Sequence, residues 1–352
     1  MWPYWILYSI PSLLVLYALA RRIELTLLFW IFIALFYAFF IGFRYEVGGD
    51  WFTYLDHYNR TIGMTLVEGL ASGRDLGYAF INWLMAKWGL GVYGVNLVCG
   101  AIFVTGLIMY CRQQLNPLLA FAVAVPYLIV VVAMGYTRQG AALGLLFWAI
   151  AYLDQGKLWH YVALIAVGAL FHKTVLIMLP FGIFLYGKGR VIKAGAVLLA
   201  FYGMWDLLLV ESQEALWRNY VDAQMISQGA KIRVFMNVAP SLLLLIYWKM
   251  WKQDFPNPWF WLMIAGASVI SLGLVDYAST AVDRIALYFS PIQLAVYSRL
   301  PYLSLLPGKG RQLDPSIPIV AIVLGYAAVL FVWLNYATHA KYWLPYQNII
   351  FQ

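Results

Sequence analysis

Charge is what this chain has least of: 11% of its 352 residues are Asp, Glu, Lys or Arg, against roughly 25% in an ordinary soluble domain. With 64% hydrophobic residues, it has too little polar surface to stay dispersed in water as a folded monomer. Cysteine is nearly absent. The two present, Cys99 and Cys111, fall in one predicted helix, about 18 Å apart at 1.5 Å per residue, so no bridge joins them. Only four histidines occur. They lack the HExxH spacing, no CxxC is found and no glycine-rich phosphate loop is present, so neither a metal nor a cofactor is expected. The net charge of +8 would suggest nucleic acid in a soluble protein. In a membrane protein it must first be apportioned between the two sides, and no nucleic-acid partner is expected here.

What the chain does have is apolar runs from end to end, each near the ~20 residues that a helix needs to cross a bilayer. They fall at 2–20, 23–43, 90–110, 118–134, 138–153, 158–171, 174–186, 191–208, 233–251, 257–275, 284–303 and 316–337. The expected fold is all-α: a polytopic transmembrane helical bundle of about twelve spans, with residues 1–352 forming one membrane domain and no separate soluble domain. The first run lacks a basic leader and ends in Arg21-Arg22, which reads as a span and not a signal peptide. Residues 76–88 are too short and too polar to span, and read as a helix lying in or dipping into the interface.

With the N-terminus outside, the inner loops hold twelve of the 23 Lys and Arg but only four of the 15 Asp and Glu. Nearly all the positive excess then lies inside, so both termini face out. The inner patches are short basic turns such as GKGR. The outer face carries two longer segments, 44–76 and 209–232, with mixed charge, His and aromatics, and chemistry tends to sit on loops held by a rigid scaffold.

Two short hairpins point polar residues toward that face. They turn at GYTRQ, with Arg138 and Gln139, and at FHKT, with His172 and Lys173. Helices of this length cover roughly 20–25 Å of a ~30 Å hydrocarbon layer, which would leave these four residues below the outer surface. Ionisable groups at such depth are functional candidates; the competing readings are snorkelling for Arg138 and Lys173 and plain packing for His172. RYEVGGDWFTYLDHY adds Arg44, Asp50, Tyr54, Asp56 and His57, and DYASTAVDR adds Arg284. Segment 209–232 contributes Arg218, Tyr220 and Lys231, followed by Arg233, for which a solvated face is the competing reading. Several guanidinium groups around an outer cavity suit a diphosphate, whose oxygens accept paired N–H donors. A lipid-linked diphosphate would place its head there and its tail between helices. Outer aromatics, Tyr346 among them, suit either the interfacial belt or stacking on sugars.

Five motifs, in order, then resemble one family. RYEVGGDWFTY, TRQGAALGLLFWAIAYL, FHKTVLIMLP, DRIALYF and WLPYQNI are similar to the signatures of the EpsG/Wzy-like membrane polysaccharide polymerases, which build O-antigens and exopolysaccharides. Gly49 before Asp50 and Lys173 after His172 depart from the usual pattern. The resemblance implies a GT-C-like membrane glycosyltransferase, multi-pass in the bacterial inner membrane, with a periplasmic active site and periplasmic termini. Its substrate would be an undecaprenyl-diphosphate-linked oligosaccharide. The growing glycan would pass from its lipid diphosphate to an incoming lipid-linked repeat unit, among membrane lipids, with a flippase and a chain-length-regulating co-polymerase as implied partners. Mapped onto that chemistry, Arg44, Arg138 and Arg284 meet the diphosphate, and Asp50 or His172 takes the proton. Gln139, Tyr54 and Tyr288 position the substrate, with Lys173, Arg218, Tyr220, Arg233 and Tyr346 as further contacts. A ligase moving glycan to another acceptor would use the same residues, and a lipid-linked oligosaccharide transporter is the non-enzymatic alternative.

Overall fold

A computed structural model of the chain describes residues 1–352 except 22, 24, 74, 187, 188, 190–194, 196–228 and 304–313. The architecture is helical, as composition requires: in a bilayer a backbone must satisfy its own polar groups, and the α-helix does so within one segment. Among the described residues, three helices are long and apolar enough to cross a membrane: α1 (Trp2–Ala20), α6 (Gly91–Cys111) and α16 (Ser316–Tyr336). Shorter apolar helices fill the space between them. These are α2 (Leu27–Gly42), α7 (Pro117–Ala124), α8 (Thr137–Leu153), α9 (Leu158–Ala169), α10 (Leu179–Tyr186), α11 (Ala230–Ile246), α13 (Pro258–Leu274) and α15 (Pro291–Arg299), with the short polar α12 (Trp248–Asp254) between α11 and α13. The expected span 191–208 lies almost wholly outside the described residues.

Between α2 and α6 the chain forms strand β1 (Arg44–Tyr45) and three small helices, α3 (Trp51–Thr61), α4 (Leu66–Ala71) and α5 (Leu76–Trp88). Local chemistry sets their ends. Thr65 and Glu68 make a reciprocal capping box at the start of α4, and Gly89, at φ 67°, ends α5 in the left-handed conformation that a glycine adopts without strain.

Long-range contacts place the functional motifs at one end of the bundle. The C-terminal segment folds back so that β2 (Gln347–Asn348) pairs antiparallel with β1, Arg44 opposite Asn348. The Tyr4 hydroxyl donates to the Trp343 carbonyl at 2.6 Å, and the Trp343 indole to the Val130 carbonyl at 2.7 Å. The start of α1 and the end of α16 therefore share one side, alongside the α7–α8 turn. At the opposite end, Asn257 donates to Asp154 at 3.0 Å and Asn116 to Tyr302 at 2.9 Å.

Two features of the centre matter for the site. Helices α6 and α8 approach at Gly106 and Gly144 so closely that a Cβ on Gly106 would lie 1.8 Å from the Gly144 carbonyl oxygen. Helix α7 continues as a nine-residue π-helix, Val125–Ala133, a rare form that occurs frequently at functional sites. It delivers the chain to Gly135, whose Cα packs under the Trp343 ring, and then to the first turn of α8.

Candidate functional site

Arg44 leaves α2 on β1 and turns inward. It is completely buried, and its guanidinium donates to the Val47 carbonyl at 3.3 Å, the Ile41 carbonyl, Asn96 at 3.2 Å and Thr137 at 2.7 Å. Burial pushes its pKa down to about 10, so it stays charged at neutral pH. Protein oxygens accept from each of its three nitrogens, so in this arrangement Arg44 serves the fold. Through Thr137 it anchors the turn that carries Arg138.

Arg138, at the start of α8, donates to Asp75 at 2.7 Å. The Tyr54 hydroxyl, on α3, lies within reach to donate to the Asp50 carboxylate and to accept from Arg138. Asp50, half-buried at the head of α3, feels both Arg138 and Arg284. Burial raises its pKa, and the two guanidiniums oppose that rise. A carboxylate in the field of two arginines can accept a proton while the cations attract an anion.

His172 sits in the connector between α9 and the 3₁₀ turn Lys173–Met178. Helix α9 has only 12 residues, about 18 Å of rise, so the connector ends well short of a ~30 Å hydrocarbon layer's far side. Gln139 places its amide nitrogen 3.3 Å from His172 Nε2, and the Tyr288 hydroxyl is 3.1 Å from Nδ1. An amide nitrogen only donates, so Nε2 accepts and Nδ1–H donates to Tyr288. Burial, with Arg284 and Arg138 nearby, pushes the imidazole pKa down to about 3, so the ring is neutral and both of its nitrogens have partners. It braces Gln139 against Tyr288.

Arg284, on α14 (Ser279–Ala286), is exposed and acts electrostatically on Asp50 and His172. Its neighbour Asp283 forms a two-pronged pair with Arg233 of α11, at 2.8 and 2.6 Å. That pairing turns Arg233 into a clamp between α11 and α14. Lys173 adjoins His172 and is half-buried. Tyr346 is placed away from this cluster: its hydroxyl donates to the Phe40 carbonyl at 2.9 Å and its ring meets Tyr4 edge-on at 5.4 Å, so it serves the C-terminal latch. Arg218 and Tyr220 lie outside the described residues.

The structure thus brings Asp50, Tyr54, Arg138, Gln139, His172, Arg284 and Tyr288 into one electrostatically connected group, with Arg44 bordering it through Tyr54 and Thr137. Asp75 and Asp283, the acids that hold Arg138 and Arg233, went unnoticed in the sequence. Their signal was present: each is a lone acid in an acid-poor chain, one opening α5 and the other directly before Arg284. Among the described residues, no three His, Cys, Asp or Glu side chains gather as a metal site.

A family model described as the EpsG family matches residues 27–348. No curated protein matches the chain, and no solved structure does.

Proposed function

The chain belongs to the EpsG family, a family of polysaccharide polymerases, and from that premise we propose the reaction this site performs. The protein moves a growing glycan from undecaprenyl diphosphate onto the terminal sugar of an incoming lipid-linked repeat unit, at the periplasmic face of the bacterial inner membrane. The reading is carried by the half-buried carboxylate of Asp50, which lies in the electrostatic reach of Arg138 and Arg284 although the three come from distant stretches of chain.

In that reaction, an acceptor hydroxyl oxygen attacks the anomeric carbon of the donor. The bond from that carbon to the diphosphate oxygen breaks, and its electron pair leaves with the diphosphate. Arg284, exposed at the mouth, and Arg138 behind it stabilise the charge that develops on the leaving oxygens. Asp50 takes the hydroxyl proton, and Tyr54 orients that carboxylate. Asp50 suits the role better than His172, whose ring nitrogens are both engaged within the protein. Tail and head separate naturally: the polyprenyl chain stays among the lipids, and the diphosphate rises to the arginines.

The test is elongation by purified protein in lipid, supplied with lipid-diphosphate-linked repeats. A ladder of products is expected from the unaltered protein, and loss of it from Arg138→Ala and Arg284→Ala when each still accumulates in the membrane. A single transfer step in place of a ladder would indicate a ligase. Unchanged yield and chain length in both variants would overturn the assignment.

A further inference from the structure

One residue after Arg138, α8 carries an amide whose two ends differ in hydrogen-bonding sense. One end of Gln139 meets His172 Nε2 at 3.3 Å, and the Tyr288 hydroxyl meets Nδ1 at 3.1 Å. Gln139 is half-buried. The other end of its amide has no partner among the described residues and is not one of the buried unpaired atoms, so a ligand can reach it.

Tyr288 decides what that open end offers. The residue is completely buried. While Nδ1–H donates to it, its own O–H finds no acceptor among the described residues. An unmet buried donor is costly, and native proteins keep few of them. Running the chain in reverse removes it: the Tyr288 O–H donates to Nδ1, and Nε2–H donates to the Gln139 carbonyl oxygen. The amide makes a half-turn, which hardly alters its shape, and its two N–H donors then occupy the open end. One proton moves across the ring from Nδ1 to Nε2, and every group stays uncharged. Burial, with Arg284 and Arg138 nearby, holds the imidazole neutral at a pKa of about 3, so both arrangements are open to it. The same two guanidiniums act on Asp50. An oxygen drawn to them carries negative charge, and such an oxygen accepts from an N–H more strongly than a neutral one does.

Resting on the polymerase reading, we propose that Gln139 is a third donor to the leaving diphosphate, in addition to Arg138 and Arg284, and that His172 and Tyr288 are the positioning residues that turn its N–H groups outward. Arrival of the anion selects the reversed chain, because the new bond to charge and the satisfied Tyr288 O–H both favour it. Gln139 then acts as an oxyanion-hole donor does, aimed before the charge develops. His172 contributes through its tautomer and takes no proton from the acceptor.

Two measurements on the detergent-solubilised full chain need no turnover. Inorganic pyrophosphate stands in for the leaving group, and calorimetry reads its affinity. Gln139→Met should weaken binding roughly ten-fold or more, the worth of a hydrogen bond to a charged group, and Tyr288→Phe roughly three- to ten-fold. The second is NMR of isotope-labelled histidine in protein saturated with pyrophosphate, with the other three histidines, His57, His160 and His339, replaced by Gln. It should show the His172 proton on Nε2. In the elongation assay Tyr288→Phe should lower kcat by the same factor and leave KM for the acceptor unmoved; a merely structural role would reduce the folded protein and spare the kcat of what remains. The proposal is overturned if the unaltered protein binds no pyrophosphate, if either variant leaves the affinity untouched, or if the bound state keeps its proton on Nδ1. Gln139→Glu, nearly isosteric and unable to donate when ionised, keeps the test valid should Gln139→Met fail to fold. Pyrophosphate binding that depends on Gln139 without any product ladder would sink the polymerase reading and leave the donor standing, whereas a ladder whose rate ignores Gln139 would sink the donor alone.

Discussion

Replacing Asp50 with Asn keeps the shape of the side chain and removes its basic oxygen. Elongation should fall by roughly 10²- to 10⁴-fold, the usual worth of a positioned proton acceptor, with membrane accumulation unchanged. The pH profile is a second readout. A proton acceptor works only when ionised, so the rate declines as pH falls through the Asp50 pKa, which burial has raised. The decline should therefore begin above the ordinary carboxylate range. A histidine base would add an acid limb near its ordinary value, whereas the His172 pKa lies at about 3; a limb near pH 6.5 that vanishes in His172→Ala would reverse the two roles. Arg44 fails differently. Truncation to Ala orphans Asn96, Thr137 and two carbonyls in a buried site, a loss on the order of 3 kcal/mol. Arg44→Ala should thus lower the amount of folded protein in the membrane, whereas Arg284→Ala should lower only activity.

At the scale of elements, the contact between α6 and α8 carries the site. A methyl group on Gly106 would have to displace the Gly144 backbone, and backbone does not yield as a flexible side chain does. Overpacking of this kind costs roughly 1–3 kcal/mol or more. Gly106→Ala should lower the thermal unfolding midpoint in detergent by several degrees and shift Arg138 at the head of α8. An unchanged midpoint would mean that the helices separate freely. The element scale also shows where reading the sequence succeeded. The boundaries of α8, Thr137–Leu153, lie within a residue of the apolar run 138–153, because a long hydrophobic stretch bounded by polar turns has one low-energy form in a bilayer. Residues 76–88 were legible as a short helix for a different reason: the run is amphipathic and too short to span, which suits the interface. The π-helical geometry of 125–133 was not legible, since VPYLIVVVA reads equally well as an ordinary helix.

For the molecule as a whole, the orientation drawn from the charge of the loops has a direct test. Cys99 and Cys111 are buried, so a membrane-impermeant maleimide should leave the parent protein unlabelled. A cysteine in place of Tyr277, which is 86% exposed, should label in intact cells after outer-membrane permeabilisation. One in place of exposed Gln155 should label only once the inner membrane is opened. The opposite pattern would put the arginine cluster in the cytoplasm and remove lipid-linked repeats from its reach.

Residue order alone determined that the chain is a helical membrane protein and where most of its apolar helices run. Hydrophobicity and helical rise act locally, and a one-dimensional pattern records them. Which motif residues share a site was decided only by tertiary structure. Arg44 and Arg138 look alike as arginines at the heads of polar motifs, yet Thr137 and Asn96 close around one while Asp75 pairs with the other. The difference lies in which partners a side chain meets across the bundle, and those partners are separated by 52 and 93 residues in the case of Arg44. No local pattern encodes such a pairing; the packing of α6, α8 and the C-terminal latch sets it.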